Sequence, residues 1–189
     1  MHHRWDYSLN NIATPLDYVL QGNVEYVPVG YASCLSRVES VEQDIDVLFY
    51  GGVTFRRKKI CDALKDKGYN VCVSCGVYGV ERDALIRRAK LVLNVHLYDS
   101  HILEVVRVSY LMANSKAVVC ECASDTEVYP HFRDGLCLVG YDNIVNACVE
   151  LLVDDVKRHD LEKRAFGAVK KLTYAEVLRK TALFAFAGD

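Results

Sequence analysis

Four consecutive basic residues, 56–59, follow a glycine pair at Gly51 and Gly52. Residues 46–50 before the glycines form an apolar, β-rich run, and residues 55–67 have the apolar spacing of a helix. The free N–H groups at the start of a helix favour an anion, whereas cations at that end are disfavoured. The pattern therefore predicts a phosphate-binding loop with Arg56 and Arg57 as its cations. The alternative is a solvated basic helix face.

Neither of the two common phosphate-loop patterns is present here, because the glycines match neither G-x-G-x-x-G nor a Walker A loop. The main sequence evidence for a nicotinamide-dependent enzyme or an ATPase is therefore missing.

A second glycine-containing loop surrounds an aromatic residue, Tyr78, which lies between Gly76 and Gly79. Glycines let a ligand approach the backbone, and a tyrosine ring offers a stacking surface for a nucleobase. An ordinary turn before an acidic helix start is the alternative, and the sequence does not separate the two.

Polar residues gather after the third apolar run, between His96 and Glu104. Arg107 lies one helical turn beyond Glu104, on the same face. This arrangement predicts a polar site at the end of a strand. The alternative is a core histidine with an ion pair inside the helix. The loop also contains Asn94, Tyr98, Asp99, Ser100 and His101.

Eight cysteines raise the question of metal or redox chemistry. Cys72 and Cys75 have C-x-x-C spacing, but a tetrahedral zinc site needs a second well-formed pair, and Cys120 and Cys122 do not supply one. We expect Cys72 to be a small apolar residue of a strand, and we expect no metal site.

The elements that position these loops alternate between strand and helix. The expected strands span residues 46–50, 70–75, 90–96, 117–121 and 136–139, and the expected helices span 55–67, 81–89, 102–113 and 143–153. The last thirty residues read as one or two helices, interrupted near Gly167 and Thr173. This alternation predicts an α/β fold: a single Rossmann-like domain with a parallel sheet of about five strands and helices on both faces. Residues 1–45 are expected to form a linker-like segment packed on a domain of residues 46–189. Ligands of such sheets bind at the carboxyl ends of the strands.

Length and charge narrow the function classes. The chain has 189 residues, a net charge of −2 and 51% hydrophobic residues. No global basic field favours nucleic acid, no segment has the length of a membrane span, and no signal peptide is visible. We therefore expect a cytoplasmic protein with reduced cysteines.

Several segments, in order, resemble the C-terminal, donor-nucleotide domain of a GT-B-fold, group-1-like glycosyltransferase. The resemblance runs over nearly the whole chain and is loose in each piece. Its pieces are Trp5-Asp-Tyr-Ser, Val27-Pro-x-Gly-Tyr, Asp46-Val-Leu-Phe-Tyr-Gly-Gly followed by Arg56-Arg57, Gly76-Val-Tyr-Gly-x-Glu-Arg-Asp83, Ala89-Lys-Leu-Val-Leu-Asn-Val-His96, Leu103-Glu-Val-Val-Arg107 and Lys116-Ala-Val-Val-Cys-Glu121.

The resemblance implies metal-independent sugar transfer from a nucleotide-diphosphate sugar to an unknown acceptor. It implies that Arg56, Arg57 and Lys58 neutralise the diphosphate, that Gly51 and Gly52 allow its approach, and that Tyr78 and Gly79 line the base. His96 and Glu104 would face sugar or ribose hydroxyls and are the candidates for catalytic residues, with Arg107 orienting Glu104 or reaching a phosphate.

Two departures from the family pattern leave an alternative open. Tyr110 stands where retaining enzymes of this fold carry a ribose-binding glutamate. The chain is also too short for both halves of such an enzyme. The alternative is a non-catalytic nucleotide or nucleotide-sugar binding module, or a subunit completed by a homodimer or by a separate acceptor-domain partner. Trp5, Tyr7 and the tail at 182–187 are candidates for that face. A receiver-like domain is less favoured, because Tyr50-Gly51-Gly52 supplies no acidic phosphoacceptor.

Overall fold

The computed structural model describes residues 4–13, 24–39, 41–97 and 103–186, with side chains up to residue 181. The predicted polar residues Tyr98, Asp99, Ser100 and His101 lie outside the described residues. In chain order the elements are β1 (Arg4–Asp6), α1 (Leu9–Ala13), β2 (Val24–Tyr26), β3 (Ile45–Tyr50), α2 (Phe55–Asp66), β4 (Val71–Ser74), α3 (Gly79–Arg88), β5 (Ala89–Asn94), α4 (Val105–Ala113), β6 (Ala117–Glu121), β7 (Cys137–Val139), α5 (Ile144–Val153), α6 (Asp155–Val169) and α7 (Tyr174–Phe186).

The central sheet contains five of the described strands, all parallel, in the order β4-β3-β5-β6-β7. Leu48 pairs with Val92, and Asn94 pairs with Cys120. The strand order reverses direction between β3 and β5, which is where ligands bind in open sheets of this type. The predicted α/β fold with a parallel sheet of about five strands is confirmed.

Alternating residues of each strand pack on opposite faces of the sheet, because side chains in a strand point alternately to its two sides. Leu48, Tyr50 and Val92 pack with α3 and α4 on one face. Val47 and Phe49 pack with α2 and α5 on the other. Helices therefore cover both faces, and the continuous apolar runs of the strands follow from this double burial.

Three local details refine the sequence expectations. Thr54 begins α2 by accepting a hydrogen bond from the Arg57 amide, and Gly68 after the helix has φ of +89°, as expected for a glycine that ends a helix. The predicted interruption at Gly167 is wrong, because Gly167 lies inside α6. Ala165 and Ala168 on that helix are buried, and this packing outweighs the cost of one glycine, about 1 kcal/mol. The break lies before Thr173, as expected.

The amino-terminal segment is held on the sheet domain by side chains from the loop after β6. The Tyr129 hydroxyl donates to the Tyr7 carbonyl at 3.0 Å and accepts from the Val29 amide at 3.2 Å. The Glu127 carboxylate accepts from the amides of Leu9 and Asn10. The boundary at residue 45 stays a prediction. Among the described helices, none is long and apolar enough to cross a membrane.

Candidate functional site

An open cleft of about 1000 Å³ lies at the carboxyl ends of β3, β4 and β5. It is lined by Tyr50 and Gly51 after β3, by residues 76–78 after β4 and by the start of α4. Tyr7 and Ser8 of the amino-terminal segment and Tyr174 of α7 also line it. All three loops singled out from the sequence therefore contribute to one cleft, the third through Leu97, Leu103 and Glu104.

Arg57 is part of the framework beneath the cleft. The residue is only 2% exposed. Its guanidinium donates to the Val95 carbonyl at 2.9 and 2.6 Å, to the Gly52 carbonyl at 2.9 Å and to the Glu104 carboxylate at 2.8 Å. Burial lowers the pKa of Arg57, and Glu104 opposes that shift. The side chain ties the loop after β3 to the end of β5 and to the start of α4.

Arg56 points to the other side, toward β6. It forms a two-pronged ion pair with Glu121, with one contact of 2.6 Å, and stacks on the Tyr141 ring at 4.1 Å. The Tyr141 hydroxyl donates back to the Arg56 carbonyl at 2.8 Å. Burial raises the pKa of Glu121, but the Arg56 hydrogen bond and the His96 amide outweigh it, so that pKa is lowered. Sequence reasoning missed Glu121 as a partner, although the final residue of a parallel strand is a positional signal.

Arg107 presents a guanidinium to the cleft. Its side chain is 20% exposed and stacks on the Tyr50 ring at 4.9 Å. Its Nη2 lies beside Gly51, since a Cβ on Gly51 would meet that atom at 2.9 Å. The contact from Nη1 to Glu104 Oε2 is 3.5 Å long and loose. Burial raises the pKa of Tyr50 to about 12 although Arg107 and Arg82 lower it, so the phenol stays protonated.

A second charged network closes the side of the cleft near α3, and the sequence did not single it out as a network. Asp83 accepts from the Tyr110 hydroxyl at 2.8 Å and from Arg82 at 2.8 and 3.0 Å, and it pairs with Arg37 at 3.1 Å. Burial raises the pKa of Asp83, but these donors outweigh burial and lower it. Tyr110, the residue in the position of the expected glutamate, is therefore an anchor for Asp83.

The remaining predicted site residues lie around this framework. Tyr78 is 78% exposed on the rim and precedes α3. Gly79 is the first residue of α3 and has φ of +52°, a conformation that glycine adopts without strain. Among the described residues, a Cβ on Gly52 would meet Leu97 alone, at an ordinary 3.8 Å. His96 is 2% exposed, and its amide donates to Glu121 at 3.0 Å.

The charge of the cleft lining favours an anion. Among the described residues that line the cleft, the guanidiniums of Arg82 and Arg107 outnumber one carboxylate, that of Glu104.

The cysteines do not converge on a metal site within the part of the chain that the structure describes, where no group of three His, Cys, Asp or Glu residues is spaced to hold an ion. All eight thiols are free, and Cys75 is exposed while Cys72 is half-buried.

Comparison with curated proteins finds viral relatives. Uncharacterized protein R358 of Acanthamoeba polyphaga mimivirus is 30% identical over 151 residues, covering 78% of this chain and 52% of that protein. Uncharacterized protein L140 of the same virus is 33% identical over 97 residues, covering 50% of this chain and 32% of that protein. The chain thus spans about half the length, or less, of these relatives. No family model matches the sequence.

Comparison with solved structures finds glycosyltransferases. Sucrose-phosphate synthase from Thermosynechococcus elongatus superposes with a TM-score of 0.60 at 15% identity, over 99% of this chain and 59% of that one. HepE from Anabaena, solved with UDP and glucose, superposes with a TM-score of 0.61 at 9% identity, over 88% of this chain and 57% of that one. A TarM mutant from S. aureus, solved with UDP among its ligands, superposes with a TM-score of 0.65 at 11% identity, over 94% of this chain and 42% of that one. The expected fold resemblance is confirmed: this chain has the Rossmann-like fold of one half of a GT-B glycosyltransferase.

Proposed function

We propose that this chain is the donor-binding half of a glycosyltransferase and takes a nucleoside diphosphate sugar into the cleft. One observation carries the proposal. The Arg107 guanidinium lies beside Gly51 at the carboxyl ends of β3 and β5, where open parallel sheets bind their ligands. The fold supports it, because the structural neighbour HepE was solved with UDP and glucose in this general architecture.

In this proposal Arg107 is the first cation to meet the diphosphate. Its Nη2 edge lies against the loop after β3, because Gly51 has no Cβ to exclude it. A guanidinium held by packing on Tyr50 loses little freedom when it binds. Positive charge placed before the reaction stabilises the diphosphate as the glycosyl bond breaks and negative charge develops on it.

Arg56 and Arg57 remain predicted contacts of the diphosphate, but their hydrogen bonds assign them a different first task. Arg57 fixes Glu104 and the loop after β3, and Arg56 fixes the end of β6 through Glu121. A ligand would have to displace those partners to bind either guanidinium directly, which favours Arg107 as the direct contact.

The base is proposed to lie near Gly76 and Tyr78, where the rim of the cleft offers backbone and an exposed aromatic ring. The acceptor is proposed to come from a second half, supplied by a longer chain, a second copy or a partner protein. The positive charge comes from arginine side chains, so the proposal includes metal-independent binding, and EDTA should leave the affinity unchanged.

A binding module without turnover is the second candidate, favoured by one observation. Tyr110, in the position of the expected ribose-binding glutamate, donates its hydroxyl to Asp83 at 2.8 Å. Release of free sugar or product from a radiolabelled nucleotide sugar, measured with and without candidate acceptors, separates the two functions. Binding without turnover in every mixture would favour the module.

Thermal unfolding with UDP, GDP, CMP, dTDP and their sugars tests the proposal. A nucleotide present at 100 times its Kd stabilises the fold by about 2.7 kcal/mol. Arg107→Gln, with a Kd about tenfold higher or more, should reduce this stabilisation to about 1.4 kcal/mol or less. Arg87→Gln is the matched control, because it makes the same charge change on the exposed last turn of α3, at the other end of the sheet. Equal shifts in both variants would refute the assignment of the site to Arg107.

A further inference from the structure

One side chain beneath the cleft is buried without satisfying its polar atoms. Asn94, the last residue of β5, is 0% exposed, and neither Nδ2 nor Oδ1 has a hydrogen-bond partner among the described residues. More than nine in ten buried polar groups of native proteins have a hydrogen-bond partner, because a group without one has given up its hydrogen bonds to water and gained none in the protein. An apolar residue at this position would avoid that loss, so the carboxamide calls for an explanation.

The strand register places this carboxamide beside Tyr50, which lines the cleft. Asn94 pairs with Cys120 on β6, and the pairing of Leu48 with Val92 puts Tyr50 beside Asn94 on β3. Tyr50, Val92 and Cys120 share the core on the α4 side of the sheet, so the Asn94 side chain lies on that same face.

Arg107 stacks on Tyr50 of this row at 4.9 Å, and Glu104 lies beside Arg107. The charges of both residues also act on the buried Cys120 thiol. Each also has a buried atom that makes no hydrogen bond within the described part of the chain: Oε2 of Glu104 and Nη1 of Arg107. These two atoms face each other at 3.5 Å, without hydrogen-bond geometry. Asn94, Glu104 and Arg107 are called the unpaired cluster below, because each has a buried atom without a hydrogen bond among the described residues. Glu104 still forms ion pairs with Arg57 and Arg107.

The atoms of the unpaired cluster define the chemistry of what would satisfy them. Glu104 Oε2 accepts, Arg107 Nη1 donates, and the Asn94 carboxamide does both. Phosphate oxygens only accept at neutral pH and would be repelled by the Glu104 carboxylate. A hydroxyl group donates one hydrogen bond and accepts others, so hydroxyls of a sugar ring match the cluster.

We propose that Asn94 is a specificity-determining residue that binds a hydroxyl of the glycosyl or ribosyl part of the donor, between Glu104 and Arg107. The inference rests on the proposed function and deepens it. Arg107 then has two tasks, with Nη2 toward the diphosphate and Nη1 toward the hydroxyl. The loose contact between Glu104 and Arg107 opens as the hydroxyl enters, and the cluster becomes paired only in the bound state.

Asn94→Leu tests this inference, because it replaces the carboxamide by an apolar group of similar shape. The free protein should become more stable, with a Tm higher by about 2–4 °C, because a buried unpaired group has been removed. The affinity for the hydroxyl-bearing ligand should fall at least tenfold. Gain of stability with loss of binding is a combination that a purely structural asparagine would not give.

Asn114→Leu is the matched control. Asn114 is also a buried asparagine, 9% exposed, but its amide donates to the Leu35 and Tyr110 carbonyls and its oxygen accepts from the amides of Arg37 and Val38. This variant should lower the Tm. If Asn94→Leu lowers it in the same way, the carboxamide is satisfied in the free protein and the inference is wrong. Should Asn94→Leu fail to fold, Asn94→Ala carries the binding test.

Isothermal titration with UDP and UDP-glucose, or with GDP and GDP-mannose if the nucleotide panel selects guanine, assigns the hydroxyl. Weaker binding of the sugar nucleotide alone places it on the transferred sugar, and weaker binding of both places it on the ribose. Unchanged binding of both to the variant overturns the inference but leaves the proposed function standing. Failure of the wild-type protein to bind any nucleotide or nucleotide sugar defeats both proposals.

Discussion

Replacing Gly51 by alanine separates the backbone role of this glycine from its role beside Arg107. Gly51 has φ of +132°, which strains any residue that carries a Cβ. Such strain costs about 1–3 kcal/mol. Each kcal/mol lowers the Tm of a domain of this size by about 2–4 °C. The new Cβ would also stand 2.9 Å from Arg107 Nη2. Since such contacts are optimal near about 3.5 Å, the guanidinium must withdraw by roughly 0.6 Å.

Gly68→Ala is the control for the strain alone. Gly68 also has positive φ, +89°, but a Cβ there meets none of the described residues within 4 Å, and the residue lies at the far end of α2. Both variants should melt at lower temperature than the wild type. Only Gly51→Ala should weaken nucleotide binding, by about tenfold, because a displaced guanidinium no longer meets hydrogen-bond distance limits of about 2.7–3.2 Å.

The assay is calorimetric titration of each folded variant with the nucleotide that the panel selects, beside a thermal melt. Equal affinity of Gly51→Ala and wild type would refute the placement of a ligand beside Arg107 Nη2. Equal loss of affinity in both glycine variants would show that strain, and not the guanidinium, controls binding.

Three further predictions test the framework around the cleft. Arg57→Met should destabilise the fold by about 3–5 kcal/mol in urea unfolding, since it leaves the Val95 and Gly52 carbonyls without their side-chain donor and Glu104 with only its 3.5 Å contact to Arg107. A loss of binding at unchanged stability would contradict this role. In the folded protein the pKa of Glu121 lies below its ordinary value of 4.5. The ionised carboxylate therefore stabilises the fold fully above pH 4.5, and this stability is lost as the pH falls through the lower pKa of the folded state. Glu121→Gln should therefore flatten the acid limb of a Tm profile, and an unchanged limb would count against the ion pair. Iodoacetamide followed by peptide mass mapping should label exposed Cys75 well before Cys61, whose pKa burial raises to about 11; the opposite order would show that the core opens readily.

The sheet and most of its helices could be predicted from the sequence, because buried parallel strands are continuous apolar runs and each is followed by an amphipathic segment. The five strands lie within two residues of the expected bounds. The helix interruption predicted near Gly167 is wrong, because the low helix propensity of glycine is a local property, whereas the burial of Ala165 and Ala168 depends on tertiary packing.

The loops of the candidate site could be predicted, but the pairing of their charges could not. The strand-end rule places Gly51, Glu104 and Arg107 at one edge of the sheet without saying which arginine is buried. The sequence alone does not distinguish Arg57 from Arg107. Only the tertiary contacts show that the Arg57 guanidinium already donates hydrogen bonds to the Val95 and Gly52 carbonyls. The charged run 56–59 does not indicate which arginine is buried, because neighbouring residues of a helix point in different directions.

Isothermal titration of the purified chain with UDP-, GDP-, dTDP- and CMP-sugars tests the central claim most directly. We predict that one nucleotide sugar binds with 1:1 stoichiometry, that Arg107→Gln weakens it by about 10-fold or more, and that Arg87→Gln leaves it unchanged. A folded protein that binds none of these sugars, or binds one equally well without the Arg107 guanidinium, would contradict the donor-site account.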